Sequence, residues 1–123
     1  MSETSRVLLV EDEFLLAQAT VRALRSKGWA VVGPAATVAA ALALLDEEAI
    51  DCAVLDINLV GETVLPVADA LRERAIPYLF LSGYSRIPAP RHDGVTLLIK
   101  PVRTDALMTE IAAMLSRPSE LAE

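Results

Sequence analysis

Cysteine, positive charge and long apolar runs are all scarce in this sequence, and each shortage excludes something. One cysteine, Cys52, stands in 123 residues. It has no intrachain partner, so no disulfide framework holds the chain, which suits a reducing cytoplasm. Its neighbours are apolar, which predicts a small core residue rather than a nucleophile. Lys and Arg number 11 against 17 Asp and Glu, a net charge of −6. Sequence-independent nucleic-acid binding needs a basic surface, and this balance argues against it. The opening MSETSR is polar and leads into Val7-Leu8-Leu9-Val10, a run far too short for a signal segment or a membrane span. The Ala-rich run from Val38 to Leu45 stops at Asp46, Glu47 and Glu48, and reads as a buried helix face. There is no internal repeat, linker or low-complexity block. The expectation is a cytoplasmic protein with no membrane or nucleic acid among its partners.

What is present suits one domain. Hydrophobic residues make up 54% and charged residues 23%, which excludes disorder. Surface scaling gives roughly 19,000 Å² exposed when unfolded and about 6,400 Å² when folded, enough burial for a core without staples.

The punctuation is regular. Arg6 to Val10 is a continuous apolar run, as in a strand covered on both faces. A helix from about Glu13 to Lys27 follows, with Phe14, Ala17, Val21 and Leu24 on one stripe and Gly28 as its stop. Ala30 to Gly33 reads as a second strand stopped by Pro34. Thr37 is the N-cap of a helix whose stripe is Val38, Ala41, Leu42 and Leu45. Cys52 to Ile57 is a third strand, Gly61 marks a loop, and a helix follows from about Val64 to Arg74. Pro66 fits only in that helix's first turn. Tyr78 to Leu81 and Thr96 to Ile99 are the last strands, and Thr104 to Leu115 the last helix, with Leu107 and Ile111 facing in. Strands alternating with helices predict an α/β fold, a doubly wound parallel sheet of five strands in the order 2-1-3-4-5. The domain spans residues 6–116, with 1–5 and 117–123 as flexible tails, and no output domain fits after 116. Pro88, Pro90 and Gly94 between the last two strands predict that the fourth helix is short or missing, and that Ser85 to Val95 forms a loop. His92, between Arg91 and Asp93, is expected to be exposed there. Trp29 is expected to cover the sheet edge.

Ligands of such sheets bind outside the carboxyl ends of the strands. Strand one is followed there by Glu11 and Asp12, strand three ends at Asp56, strand four is followed by Ser82, and strand five by Lys100. In the order 2-1-3-4-5 these four strands are adjacent, so the groups meet. Three close carboxylates repel one another, and a hard cation such as Mg²⁺ relieves this. Lys100 adds a charge for an anionic oxygen and Ser82 a hydroxyl. Such a set forms a phosphoryl-transfer site, in which an aspartate can be the nucleophile.

VLLVEDE, VLDINLVG, FLSGY and LLIKP together resemble the receiver domain of two-component response regulators, over residues 6 to about 116. The resemblance implies that Asp56 is the phosphoacceptor. It implies that Asp12 binds Mg²⁺ directly, Glu11 mainly through water, and Asn58 through its backbone carbonyl. Ser82 matches the switch hydroxyl, Lys100 the family's lysine, and Lys100–Pro101 its cis bond. Asp12 and Asp56 stand 44 residues apart, as the family has them. Pro77 to Tyr84 is similar to the signature of the FATGUY response regulators, with Tyr78, Leu81 and Ser82 in place of Phe, Ala and Thr. Those are mostly single-domain proteins served by HWE-type histidine kinases. A histidine kinase or a histidine phosphotransfer protein is therefore the implied partner, and self-phosphorylation or self-dephosphorylation the most enzymatic activity implied. The position usually aromatic before the lysine is Leu97, so Tyr84 takes part of the switch role.

Two other readings use the same residues. A haloacid-dehalogenase-type phosphatase would match Asp56-Ile57-Asn58, but Asn58 replaces its second aspartate and the acidic pair falls on the wrong side of the nucleophile. A pseudo-receiver that is never phosphorylated would not need the five-residue set intact. Leu15 and Leu16 either pack partly or form a docking surface for a kinase helical bundle.

Overall fold

Strand β1 (Arg6–Val10) is apolar from Val7 to Val10 because both faces of the sheet are covered where it runs. The computed structural model describes residues 4–83, 92 and 94–116. After β1 come helix α1 (Phe14–Ser26), β2 (Ala30–Ala35), α2 (Val38–Glu47) and β3 (Cys52–Asp56). A two-residue pair follows, β4 (Asn58–Leu59) and β5 (Glu62–Thr63), then α3 (Leu65–Glu73), β6 (Tyr78–Ser82), β7 (Leu97–Ile99) and α4 (Thr104–Ser116). The five long strands form one parallel sheet in the order β2-β1-β3-β6-β7. This is the expected doubly wound order, with β6 and β7 as its fourth and fifth members. The antiparallel hairpin β4–β5 was not expected, because two residues per strand carry no readable period.

Alternation within the strands divides the core. Val7 and Leu9 of β1 join Val54 and Leu79 against α1 and α4, where Ala17, Leu24, Leu107 and Ile111 close the layer. Leu8 and Val10 join Leu55 and Phe80 against α2 and α3, through Ala41, Leu45, Val67 and Leu71. Cys52 is fully buried in the first layer, and Trp29 packs against it partly buried. Thr37 caps α2, its hydroxyl oxygen accepting from the Ala40 N–H, and Pro66 stands in the first turn of α3.

Three expectations need correction. Strand β2 does not stop at Pro34 but runs through it to Ala35. β2 is an edge strand with a register shift beside Leu8 to Val10, where a missing N–H is tolerated. Gly33 permits that path: at φ +101 a Cβ would lie 2.9 Å from the Leu9 carbonyl oxygen. Phe14 does not belong to the buried stripe and is 71% exposed. The stripe begins one turn later, at Ala17, and includes Thr20, so the first turn of α1 carries its apolar residues into solvent. Leu15 is likewise exposed, and Leu16 less so.

The third correction is His92, which is completely buried. Its Nδ1 lies 2.5 Å from the Tyr78 hydroxyl and its Nε2 2.8 Å from Asp69 Oδ1. Arg91 and Asp93 beside it suggest a solvated loop, but its partners lie 14 and 23 residues away in sequence. The rest of the expectation for Ser85 to Val95 falls mainly on residues 84–91 and 93, outside the described residues.

Candidate functional site

The carboxyl edge of the sheet collects the polar residues that end its strands. Glu11 and Asp12 follow β1, Asp56 ends β3, Ser82 ends β6 and Lys100 follows β7. Glu11, Asp56 and Ser82 are buried, and Asp12 is half-buried. The Lys100 ammonium lies 2.7 Å from Asp56 Oδ2 and 3.7 Å from Glu11 Oε1. Backbone bonds hold the frame: Lys100 N–H donates to the Ser82 carbonyl at 2.8 Å, Ile57 N–H to Leu81 at 2.9 Å, and Glu11 N–H to Ala35 at 2.9 Å. Lys100–Pro101 is cis, as the family resemblance implies.

Each carboxylate also takes a backbone donor. Glu13 N–H donates to Glu11 Oε2 at 3.1 Å, Asn58 N–H to Asp56 Oδ1 at 3.3 Å, and Val60 N–H to Asp12 Oδ2 at 2.6 Å. These bonds partly replace the water lost on burial. They do not cancel the charge, because among the described residues a single ammonium faces three carboxyl groups. Burial pushes the Glu11 carboxyl up to about 7, against the Glu13 N–H and with help from the neighbouring Asp56 charge. Burial alone would lower the Lys100 ammonium, but the Asp56 hydrogen bond and charge, with Glu11 and Glu13, hold it above its ordinary value.

Glu11, Asp12 and Asp56 each offer a carboxylate oxygen, and these oxygens lie within 4.8 Å of one another. Oxygen-only donors with surplus negative charge fit a hard divalent cation that keeps several waters, as Mg²⁺ does. The structure thus brings Glu11, Asp12, Asp56 and Lys100 together, with Asn58 beside Asp56 and Ser82 at the adjacent strand end. Leu97 is not among them; half-buried, it packs on the α2–α3 layer. Tyr84 lies outside the described residues. Sequence reasoning missed the Val60 N–H, for which Gly61 as a turn marker was the one available signal. Beside the carboxylates, a groove of about 410 Å³ separates α1 from the start of α4, lined by Leu16, Ala19, Ala23, Pro101 and Met108 with Lys100 and Glu13.

Fold and edge together define the class: a flavodoxin-like α/β module with an acidic pocket beside a lysine at the carboxyl end of a five-stranded parallel sheet. Residues 7–112 match the family model of the response regulator receiver domain, and the chain belongs to that family. No curated protein matches it. Among solved structures it is similar to SdrG from Sphingomonas melonis Fr1, at 38% identity over 94% of this chain and 99% of that one, with a TM-score of 0.79. The BeF3-activated conformation of SdrG from Pseudomonas melonis Fr1 is matched at the same identity and coverage, with a TM-score of 0.75. The receiver domain of the Erythrobacter litoralis response regulator PhyR is 27% identical over 94% of this chain and 95% of its own, with a TM-score of 0.82. Among the described residues no helix is long and apolar enough to cross a membrane.

Proposed function

We propose that this receiver works as a single-domain response regulator, taking a phosphoryl group from a phosphohistidine onto Asp56. The observation that carries the reading is the buried Asp56 carboxylate held at 2.7 Å by Lys100 inside a cluster of three carboxyl groups. One Asp56 oxygen attacks phosphorus, the N–P bond to the donor imidazole breaks, and that nitrogen keeps the electron pair. The product is an acyl phosphate. Lys100 holds an oxygen of the transferring group, and the Ser82 hydroxyl bonds another. Glu11, Asp12, Asp56 and the Asn58 carbonyl would hold Mg²⁺, which supplies neutralisation of the charge spread over the phosphoryl oxygens. The chain's own chemistry is limited to accepting the group and losing it to water.

Because Ser82 ends β6 and Lys100 follows the neighbouring β7, their turn toward a phosphoryl group would change what this edge of the surface binds. The donor would be a histidine kinase, of the HWE type by the Pro77–Tyr84 signature, or a histidine phosphotransfer protein. The exposed Phe14 and Leu15 and the groove beside Lys100 suit a helical bundle presenting its phosphohistidine. SdrG, of which a BeF3-activated conformation is described, supports the reading through its 38% identity. The cytoplasm is the setting in which a single buried thiol is ordinary.

Acetyl phosphate with Mg²⁺ tests this. The expected result is incorporation of one phosphoryl group, lost in hydroxylamine and absent from folded Asp56→Asn. Undiminished labelling of that variant would move the acceptor elsewhere, and no labelling of the wild type would make this a pseudo-receiver.

A further inference from the structure

The tip of the β4–β5 hairpin has a use that its side chain does not explain. Val60 is 87% exposed, so nothing packs on it. Its backbone N–H instead reaches 48 residues back along the chain and donates to Asp12 Oδ2 at 2.6 Å. That is the short range of a charge-assisted bond. Among the described residues, the other Asp12 oxygen takes no hydrogen bond.

The arm that presents this N–H is braced on both sides. Leu59 pairs with Glu62 across a two-residue loop of Val60 and Gly61. The Glu62 carboxylate accepts from the Val38 N–H at 2.9 Å, at the start of α2. At the hairpin's base, Val64 N–H donates to the Ile57 carbonyl at 2.9 Å. The hairpin is therefore held by bonds that do not involve Asp12.

We propose that the Val60 N–H is the positioning group for Asp12 as a magnesium ligand, fixing the rotation of its carboxylate so that the second oxygen is left to the metal. The proposal rests on the Mg²⁺ reading above and deepens it. A half-buried carboxylate without this donor would have to be ordered when the ion binds, and that ordering would be charged against affinity. Partners that orient a metal ligand typically contribute about 10–100-fold in affinity.

The turn supplies a clean test. Gly61 has φ +77 while Val60 is not in the positive-φ region, which matches the signs of a type II turn, where proline is favoured at the first of these positions. Leu59 lies in a strand, as the residue before a proline should. Val60→Pro thus deletes the N–H with little demand on the backbone, and Val60→Ala deletes the side chain but keeps the N–H. Mg²⁺ titrations followed by amide shifts should give Val60→Ala the wild-type affinity and Val60→Pro about a tenfold weaker one. Thermal midpoints without Mg²⁺ separate this from a general loosening, because the loss of one bond should lower Val60→Pro by no more than about 5 °C relative to Val60→Ala. A second measurement needs no proline: in the wild type the Val60 amide should exchange slowly, and in Asp12→Asn it should exchange faster. Equal Mg²⁺ affinities for the two variants, or a wild-type Val60 amide exchanging like open chain, would overturn the proposal. A wild type that takes no Mg²⁺ at all would overturn it together with the metal reading, an outcome distinct from either of those.

Discussion

Two polar clusters are built into this sheet, and their balances are opposite. Around His92, a fully buried imidazole sits between the Tyr78 hydroxyl and the Asp69 carboxylate. With a proton on Nε2 the imidazole donates to Asp69, and its Nδ1 accepts from the Tyr78 hydroxyl. The rings of Tyr78 and Phe80 meet the imidazole edge-on, with centroids 5.6 and 5.8 Å away. Both ring nitrogens are satisfied. At the carboxyl edge, among the described residues, three carboxyl groups share one ammonium, and no arrangement of Lys100 alone can neutralise them. A buried group whose bonds close within the protein serves the fold. A cluster left with surplus charge is one that an external ion can complete.

The largest effect should come from breaking the satisfied cluster. His92→Ala leaves a void and strands the Tyr78 hydroxyl, so urea unfolding should show a loss of about 2–4 kcal/mol. Asp56→Asn should stay within about 0.5 kcal/mol of the wild type or gain stability, since it removes one of three like charges. If Asp56→Asn proves as costly as His92→Ala, the contrast between the clusters collapses. The next effect sharpens the edge itself. Asp12→Asn should weaken Mg²⁺ binding by at least about tenfold, and Glu11→Gln by less, if Asp12 is the direct ligand and Glu11 acts through water. The reverse order in a titration would show the acidic pair misassigned.

The smallest effect concerns a buried group that belongs to neither cluster. Burial, with the Asp51 charge, pushes the Cys52 thiol up to about 12, against an ordinary value of 9.0. Between those values the unfolded chain has released this proton while the folded chain keeps it. Stability should therefore fall as pH rises from about 9 toward 12, by roughly 1 kcal/mol at pH 10. Comparing wild type with Cys52→Ala from pH 8 to pH 10 isolates the slope. Parallel curves would show that the thiol is not sealed from water.

The carboxyl edge was legible in the sequence because every member of it follows an apolar run. Strand ends can be read locally, and the 2-1-3-4-5 order then makes Asp12, Asp56, Ser82 and Lys100 neighbours without further information. His92 was illegible for the converse reason: nothing near it in sequence announces Asp69 or Tyr78, and its charged neighbours point to solvent. Phe14 failed differently, since a period of 3.6 marks a stripe but not the turn at which the sheet ceases to cover it. The Val60 contact is a backbone bond, and backbone donors leave no residue type to read.

The bonds that tie the pocket together span long stretches of chain. Lys100 reaches Asp56 across 44 residues, and Val60 reaches Asp12 across 48. Closing loops of that length has an entropic cost that the strand pairing around them repays, so these bonds depend on the sheet being in place. A chain that stops short of Lys100 lacks one partner of the ion pair at the edge, whatever else it has built. Whatever this pocket binds, it binds only as a property of the finished fold, and its occupancy counts native molecules alone.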